Sequence, residues 1–388
     1  MTDRNQVVVV GGGYAGVIAA NRLAPRATVT MVNPRGAFVE RIRLHQLVAG
    51  NDDALVDYQT VLADEVRLLV DNATRIDAAA RRVELASGDT LGYDYLIYAV
   101  GSTGAVADAV PGAAEFSYPI SELEQAQRLA DRLADAPVST PVVVVGGGLT
   151  GIEAAAELAE AGRPVTLLTD RLGPTLSAGG RRSVAKGLAK LGVTVTENAT
   201  VARVAPDRVV LSDGREVRSE VTVWTAGFGV PGLAAASGLA TDDIGRLLTD
   251  ETLTSVTDGR IVGAGDAVSP SGLPYRMSCQ AAMPLGAQAA DTVLARITGT
   301  APAEINHAMA AQCISLGRRI GTYQVNNADD SPKRWYVGGR AGALVKEQVC
   351  RWTVKWMRDE AEKPGSYSWK NGPDRKKLLA AAAEVTRV

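Results

Sequence analysis

Two stretches of the chain share one rhythm of apolar and polar positions. Residues 7–33 read VVVVGGGYAGVIAANRLAPRATVTMVN, and residues 142–169 read VVVVGGGLTGIEAAAELAEAGRPVTLLT, 135 residues further on. Each opens on consecutive valines, the pattern of a parallel strand buried on both faces. A glycine turn follows, then apolar residues at helical spacing, then a second apolar run, which together outline a βαβ unit. The likeness extends past these units. Arg75–Thr90 and Val201–Val217 have a hairpin rhythm, with turns at Ser87-Gly88-Asp89 and Ser212-Asp213-Gly214. Tyr93–Gly101 and Val221–Gly227 are strand patterns ending in the small-residue turns AVG and TAG. Glycine turn, hairpin and strand recur in the same order, so the chain reads as an internal duplication within an α/β fold.

The remaining pattern fills in around this repeat. Leu55–Val70 reads as helix then strand. Gly104–Pro119, rich in Gly, Pro and Ala, reads as a crossover. Ser121–Ala134 is a predicted helix, with Ser121 as N-cap and Glu124 three residues on. Ser183–Leu191 is another helix and Val193–Val195 a strand. Gly259–Asp266 is a strand running into a glycine turn with one acid. Ser278–Ile297, rich in small residues, reads as a helix that docks closely on a neighbour. Met309–Leu316, Arg319–Val325 and Lys333–Gly338 read as strands. Ala341–Arg358 is a helix with an apolar stripe of Val345, Val349, Trp352 and Trp356, ringed by Lys346, Arg351, Lys355 and Arg358. The two tryptophans suit a core or subunit contact, or a lipid headgroup boundary. Asp374–Val388 is a shorter basic helix.

Both glycine turns carry the G-x-G-x-x-G spacing, at Gly11, Gly13 and Gly16 and at Gly146, Gly148 and Gly151. The first glycine makes a tight turn, the second lets backbone approach a pyrophosphate, and the third lets helix pack on strand. The helix N-terminus then offers free N–H groups to the phosphates. Two such turns predict two bound dinucleotides. A ribose-binding carboxylate often ends the second strand of these units. Here Asn33 stands in the first, either accepting one ribose bond or serving as a turn residue before Pro34. In the second, Thr169 is followed by Asp170, which opposes a 2′-phosphate, and Arg171, which favours one. Arg41 and Arg43 are placed where a cofactor pyrophosphate or ring edge could lie. His45 reads as packed or hydrogen-bonded rather than catalytic.

Composition adds limits. A chain of 388 residues, 46% hydrophobic and 22% charged, suits two or three soluble domains. Cys279, Cys313 and Cys350 lie far apart and form no C-x-x-C pair, so neither a disulfide framework nor a zinc site is expected. Two histidines, His45 and His307, make a histidine metal site or triad improbable, and no metal is expected. No apolar run approaches the roughly 18 residues of a spanning helix, and a first strand near Gln6 leaves no room for a secretory signal. The net charge of −2 divides into +7 over residues 331–388 and −9 over the rest. A basic tail on an acidic body could meet an anionic membrane surface or an acidic protein, or be a solvated helix face. A cytoplasmic location is expected, with attachment at the inner face of a membrane as its extension.

With these residues in view, the chain resembles the two-dinucleotide-binding-domain flavoproteins over nearly its full length. The match rests on VVVVGGGYAG, the AVG turn at Ala99–Gly101, VVVVGGGLTGIEAAAEL and GAGDAV at Gly263–Val268, in that order. The resemblance implies two Rossmann-like domains, FAD in the first site and NAD(P)H in the second. It implies a discontinuous FAD domain (1–110 and 232–303), an inserted NAD(P) domain (111–231) and a small α+β C-terminal domain (304–388). Tyr14, Ala15, Ala99, Gly101, Gly265 and Asp266 would then join the FAD site, with Asp266 on the ribityl chain. Leu149, Thr150, Thr169, Arg171 and Gly227 would join the NAD(P) site. Paired redox cysteines of the glutathione-reductase, thioredoxin-reductase and sulfide:quinone-reductase kinds are missing from the sequence. What remains looks like the type II NADH:quinone oxidoreductases. GGRAGALVKEQV and the Trp-rich helix after it resemble their membrane-associating region. The quinone motif A-Q-x-A-x-Q is replaced by SCQAAMPLGAQAA.

The resemblance implies hydride transfer from nicotinamide to flavin, then two electrons to a quinone-like acceptor. Glu153 becomes a candidate carboxylate at the nicotinamide–flavin junction, against a simple helix-dipole role. Lys346 is a candidate for the acceptor pocket, against an ordinary surface lysine. Two other readings stay open: reduction of a small iron–sulfur protein such as ferredoxin or rubredoxin, and a slow-turnover redox sensor. No nucleic-acid partner is expected, and a homodimer stays open.

Overall fold

The computed structural model describes residues 4–104 and 110–385. The first parallel sheet begins with β1 (Gln6–Val10), β2 (Thr28–Asn33), β3 (Arg67–Val70) and β4 (Tyr95–Tyr98), with helix α1 (Tyr14–Leu23) crossing from β1 to β2. The second contains β5 (Ser117–Pro119), β6 (Val142–Val145), β7 (Val165–Leu168), β8 (Thr194–Thr196) and β9 (Val221–Trp224). Helices α2 (Leu123–Ala134), α3 (Leu149–Glu160) and α4 (Ala178–Lys190) connect them. The chain then returns to the first sheet as β10 (Ile261–Gly263), followed by α5 (Cys279–Ile297). A separate antiparallel sheet of β11 (Ala311–Leu316), β12 (Ile320–Asn326) and β13 (Pro332–Gly338) precedes α6 (Gly339–Glu362) and α7 (Arg375–Val385).

Strand order is β10-β4-β1-β2-β3 in the first sheet and β5-β9-β6-β7-β8 in the second, every pairing parallel. The two valine runs lie at the centres of these sheets and all their residues are buried. This is the doubly covered environment that their unbroken apolarity demands. The two hairpin patterns are three-stranded antiparallel ribbons, over residues 73–92 and 201–218. The fold is thus α/β, with two Rossmann-like units, the first interrupted by the second. Residues 105–109 of the predicted crossover and the last three residues of the predicted final helix fall outside the described residues.

The small residues of α5 have a visible purpose. A Cβ on Gly286 would lie 2.2 Å from the carbonyl oxygen of Ala15, so α5 and α1 meet backbone to backbone. That contact ties the late segment to the first glycine turn.

Several boundaries differ from the sequence reading. Helix α2 starts at Leu123, and the Glu122 N–H donates to Gln125 Oε1 at 3.2 Å. Ser121 is therefore not the cap, and Glu124 instead pairs with Arg35 at 2.6 Å. Helix α4 begins five residues early, because Ser177 caps it by accepting from the Gly180 N–H. Leu55–Asp57 is a short strand, and only Tyr58–Val61 after it is helical.

The larger correction concerns α6. Its buried line is Gly342, Lys346, Cys350, Thr353, Met357 and Glu360, not the predicted Val345–Trp356 stripe. The shift is one residue, about 100° around the helix. The reason is that the polar members of this line are satisfied internally. Glu360 accepts from the Gly365 and Tyr367 N–H groups at 2.8 and 2.6 Å, and Thr353 donates to the Cys350 carbonyl. Hydropathy cannot show such partners.

Candidate functional site

A cleft of about 1070 Å³ runs past the C-terminal ends of the central strands of both parallel sheets and is closed by α5, β11 and α6. Both glycine turns open onto it. Gly11 and Gly146 have φ of +106° and +118°, which only glycine adopts at low cost. A Cβ on Gly16 would lie 1.9 Å from the Gly11 oxygen, and one on Gly151 would lie 1.9 Å from the Gly146 oxygen. These glycines therefore serve packing behind the turn. A Cβ on Gly13 or Gly148 would meet no atom within 4 Å, and both residues face the cleft. Helices α1 and α3 start there with no side-chain cap and no acid in their first turns. Their leading N–H groups are left for an anion. Each cradle fits a pyrophosphate.

Around the first cradle, Tyr14, Ala15, Ala99, Gly101, Gly265 and Asp266 line the cleft. Asp266 accepts from Ser102 Oγ at 2.8 Å and from the Ser278 N–H at 3.0 Å. The Tyr14 hydroxyl is buried without a hydrogen-bond partner among the described residues, and burial pushes its pKa up. An orphaned donor of this kind fits a polar ligand. Leu149, Thr150, Thr169, Asp170, Arg171 and Gly227 line the second cradle's side.

Three predicted contacts have other occupations. The oxygen of Asn33 accepts from the Gly12 N–H at 3.0 Å and its amide donates to the Arg35 carbonyl, so Asn33 braces the turn. Thr169 Oγ1 donates to the Arg171 carbonyl at 3.1 Å. Arg43 does not line the cleft; its guanidinium is bonded to Glu347 at 3.1 Å and to Glu40 and Gln46 at 3.3 and 3.1 Å. Arg41 does line it, donating to the Ser121 carbonyl and to Ser102 Oγ.

Glu153 and Lys346 come together in the cleft wall. The lysine is buried, against the surface account, and its Nζ lies 3.0 Å from Glu153 Oε1. Glu153 is the fifth residue of α3, beyond the free N–H groups of the first turn, so the helix-dipole account does not hold. The same oxygen accepts from the Ser315 N–H at 2.9 Å and from Ser315 Oγ at 3.2 Å. His45 Nε2 meets Ser315 Oγ at 3.1 Å, with His45 Nδ1 3.8 Å from Glu153. Burial alone would raise the carboxyl pKa; Lys346, His45 and the Ser315 N–H more than offset it and hold it below its ordinary value. The same carboxylate overcomes burial at Lys346 and pushes its ammonium pKa well up. Two unlike charges are thus kept ionised away from water.

The sequence reading missed Ser315, which sits mid-strand with no local signal, and the gathering of the cysteines. Cys279 and Cys313 line the cleft and Cys350 lies one helical turn from Lys346; all three are free. Burial pushes the Cys279 thiol up to about 12 and that of Cys350 up to about 11, so both stay protonated at neutral pH. Trp352 and Trp356 stack at 5.9 Å, and with Tyr367 and Trp369 they form an aromatic mouth to the cleft. They are 41% and 37% exposed, and so are not core anchors. Among the described residues no cluster of three or more His, Cys, Asp or Glu could hold a metal ion.

Comparison with known proteins agrees with this geometry. An NADH dehydrogenase-like protein of Mycobacterium tuberculosis is 31% identical over 320 residues, covering 74% of this chain and 80% of its own. The type II NADH:quinone oxidoreductase of Haemophilus influenzae is 27% identical over 325 residues, covering 68% of this chain and 73% of its own. The fold is shared with NDH2 from Plasmodium falciparum, solved in complex with NADH. That match has a TM-score of 0.77 at 14% identity, over 94% of this chain and 99% of the other. Residues 5–289 match the family described as pyridine nucleotide-disulphide oxidoreductase, and the chain belongs to that family, an oxidoreductase that works with FAD and NAD(P)H.

Proposed function

We propose that this protein passes electrons from NAD(P)H through FAD to a quinone-like acceptor. The observation that carries this reading is an aromatic mouth leading to a buried Glu153–Lys346 pair, 3.0 Å apart, in the wall of a cleft that also holds both glycine cradles. When bound in the first cradle, beside Asp266 and Ser102, FAD would supply the hydride-accepting and two-electron chemistry that links the nicotinamide to the acceptor.

The chain's own work is positioning and proton handling. The N–H groups opening α1 and α3 hold two pyrophosphates. Asp266, Ser102 and Arg41 form a bonded rim beside the first cradle and fix polar groups of its occupant. Lys346 Nζ holds a proton toward an acceptor oxygen, and Glu153, braced by Ser315 and His45, keeps it charged. Trp352 and Trp356 offer flat apolar faces to a ring or tail at the mouth. No helix among the described residues is long and apolar enough to cross a membrane. A membrane surface against the exposed Trp352 and Trp356 of α6 is part of this proposal.

Anaerobic titration of the flavin bands with NADH and NADPH, then reoxidation by a panel of quinones, tests the reading. Asp170 and Arg171 both line the cleft, so comparing kcat/KM for the two nucleotides decides the donor. Glu153→Gln should keep its flavin but lose about 100-fold in quinone turnover, the scale of a lost proton-handling group. Unchanged turnover removes Glu153 from the mechanism. Reoxidation by ferredoxin but by no quinone overturns the acceptor.

A further inference from the structure

A second cavity, of about 520 Å³, lies between the turn joining β11 to β12 and the first turns of α6. Arg318, Arg319 and Arg340 stand around it exposed, Lys346 and Ser315 are buried at its inner end, and Glu347 lies to one side. Most of these charges are already matched. Arg318 meets Glu157 at 3.0 Å, Lys346 meets Glu153 at 3.0 Å, and Glu347 is held by Arg43 and Arg351, each at 3.1 Å. Arg319 and Arg340 have no acidic or hydrogen-bonding partner among the described residues. The cavity therefore carries two uncompensated guanidinium groups.

Arg340 is the second residue of α6, a 24-residue helix starting after Gly338 with no side-chain cap and no acid in its first turn. The positive end of that helix therefore opens at Arg340, which lines the cavity.

We propose that this cavity binds a phosphoryl anion. Guanidinium groups meet phosphate oxygens in pairs of charge-assisted bonds, and helix N–H groups add donors that need no rearrangement. Phosphate also tolerates the nearby Glu347, whose charge two arginines already share. Leu344, 73% exposed, lines the same cavity. The same chemistry can therefore be delivered by a free phosphate or by an anionic lipid headgroup whose chain covers Leu344. Neither arginine lines the larger cleft, although Lys346 lines both cavities, so the proposal rests on the arginines and not on the identity of the electron acceptor.

The test uses the full-length flavin-loaded protein. One arm titrates inorganic phosphate at constant ionic strength and reads the thermal midpoint. The other measures co-sedimentation with phosphatidylcholine vesicles with and without phosphatidylglycerol. Arg319→Ala/Arg340→Ala should weaken binding at least about tenfold in whichever arm responds. Arg182→Ala/Lys186→Ala on α4 removes equal charge elsewhere and should leave binding intact. A saturable phosphate response lost in the arginine variant identifies the soluble source, a vesicle response alone that is lost in it identifies the lipid, and a response in either arm that the arginine variant leaves unchanged overturns the site. No saturable response in either arm, or equal loss in the α4 control, overturns the site.

Discussion

At the scale of single residues, the two histidines and the Glu153–Lys346 pair carry the strongest electrostatic consequences. His45 and His307 are 3% and 1% exposed. Burial pushes the His45 pKa down to about 4, with Lys346 and Arg318 adding to it against Glu153, and pushes that of His307 down to about 3. Both rings stay neutral in the fold while the unfolded chain takes up protons below pH 6.5. Their stability contribution is complete above pH 6.5 and is lost as pH falls toward 4 and 3. Each ring should withdraw about 2 kcal/mol between pH 7 and pH 5. His307 stacks on Tyr275 at 3.8 Å, and neither ring nitrogen has a partner among the described residues. His307→Phe keeps the stack and removes the titration. Urea unfolding at the two pH values should show the variant losing about 2 kcal/mol less stability than the parent between pH 7 and pH 5, and an unchanged pH dependence would count against the assignment. The sequence marked Glu153, Lys346 and His45, because each stands in or beside a recognisable motif. It did not mark Ser315, whose role exists only where β11 passes α3, nor Cys279 and Cys313, which only the folded chain brings to one cleft.

At the scale of elements, the decisive contact is α5 on α1. Gly286→Ala places a methyl 2.2 Å from the Ala15 oxygen, so the helices must separate. Overpacking of this kind costs about 1–3 kcal/mol, and here it also shifts the turn that cradles the first dinucleotide. Purified Gly286→Ala should therefore carry substoichiometric FAD and melt earlier, whereas Gly88→Ala, in an exposed turn, should keep its full flavin content. Full flavin occupancy in Gly286→Ala would sink the argument. The strand–turn–helix units were legible because valine runs and glycine spacing encode them locally. The face of α6 was not, since Lys346 and Glu360 are polar residues made buriable by partners elsewhere in the chain. The cap of α2 was misread because Ser121 lies one residue before the helix start, where the Glu122 N–H is met by Gln125 Oε1.

At the scale of the whole molecule, charge and aromatic exposure fall on the same part. Residues 331–388 carry the net +7, although Arg375 is spent on Glu251 at 2.7 Å and Arg351 on Glu347. Lys355 and Arg358, on the helix that carries Trp352 and Trp356, are likewise paired with Asp359 and Glu362, and Lys370 lines the cleft beside Trp369. Trp352→Ser/Trp356→Ser should raise KM for a long-tailed quinone about tenfold and leave a tail-less one within about twofold. Steady-state kinetics with and without anionic vesicles measure this. Equal effects on both quinones would assign the tryptophans to folding instead.

The late return of the chain to its first sheet has a consequence for biosynthesis. As the polypeptide leaves the ribosome, β4 emerges with one edge bare and must wait for β10, which lies beyond the entire second sheet. That inserted sheet has all its strands by Trp224 and can close while the earlier one is still open. The nascent protein therefore matures from the middle outward, and the cradle nearest its N-terminus is sealed only after α5 has been translated.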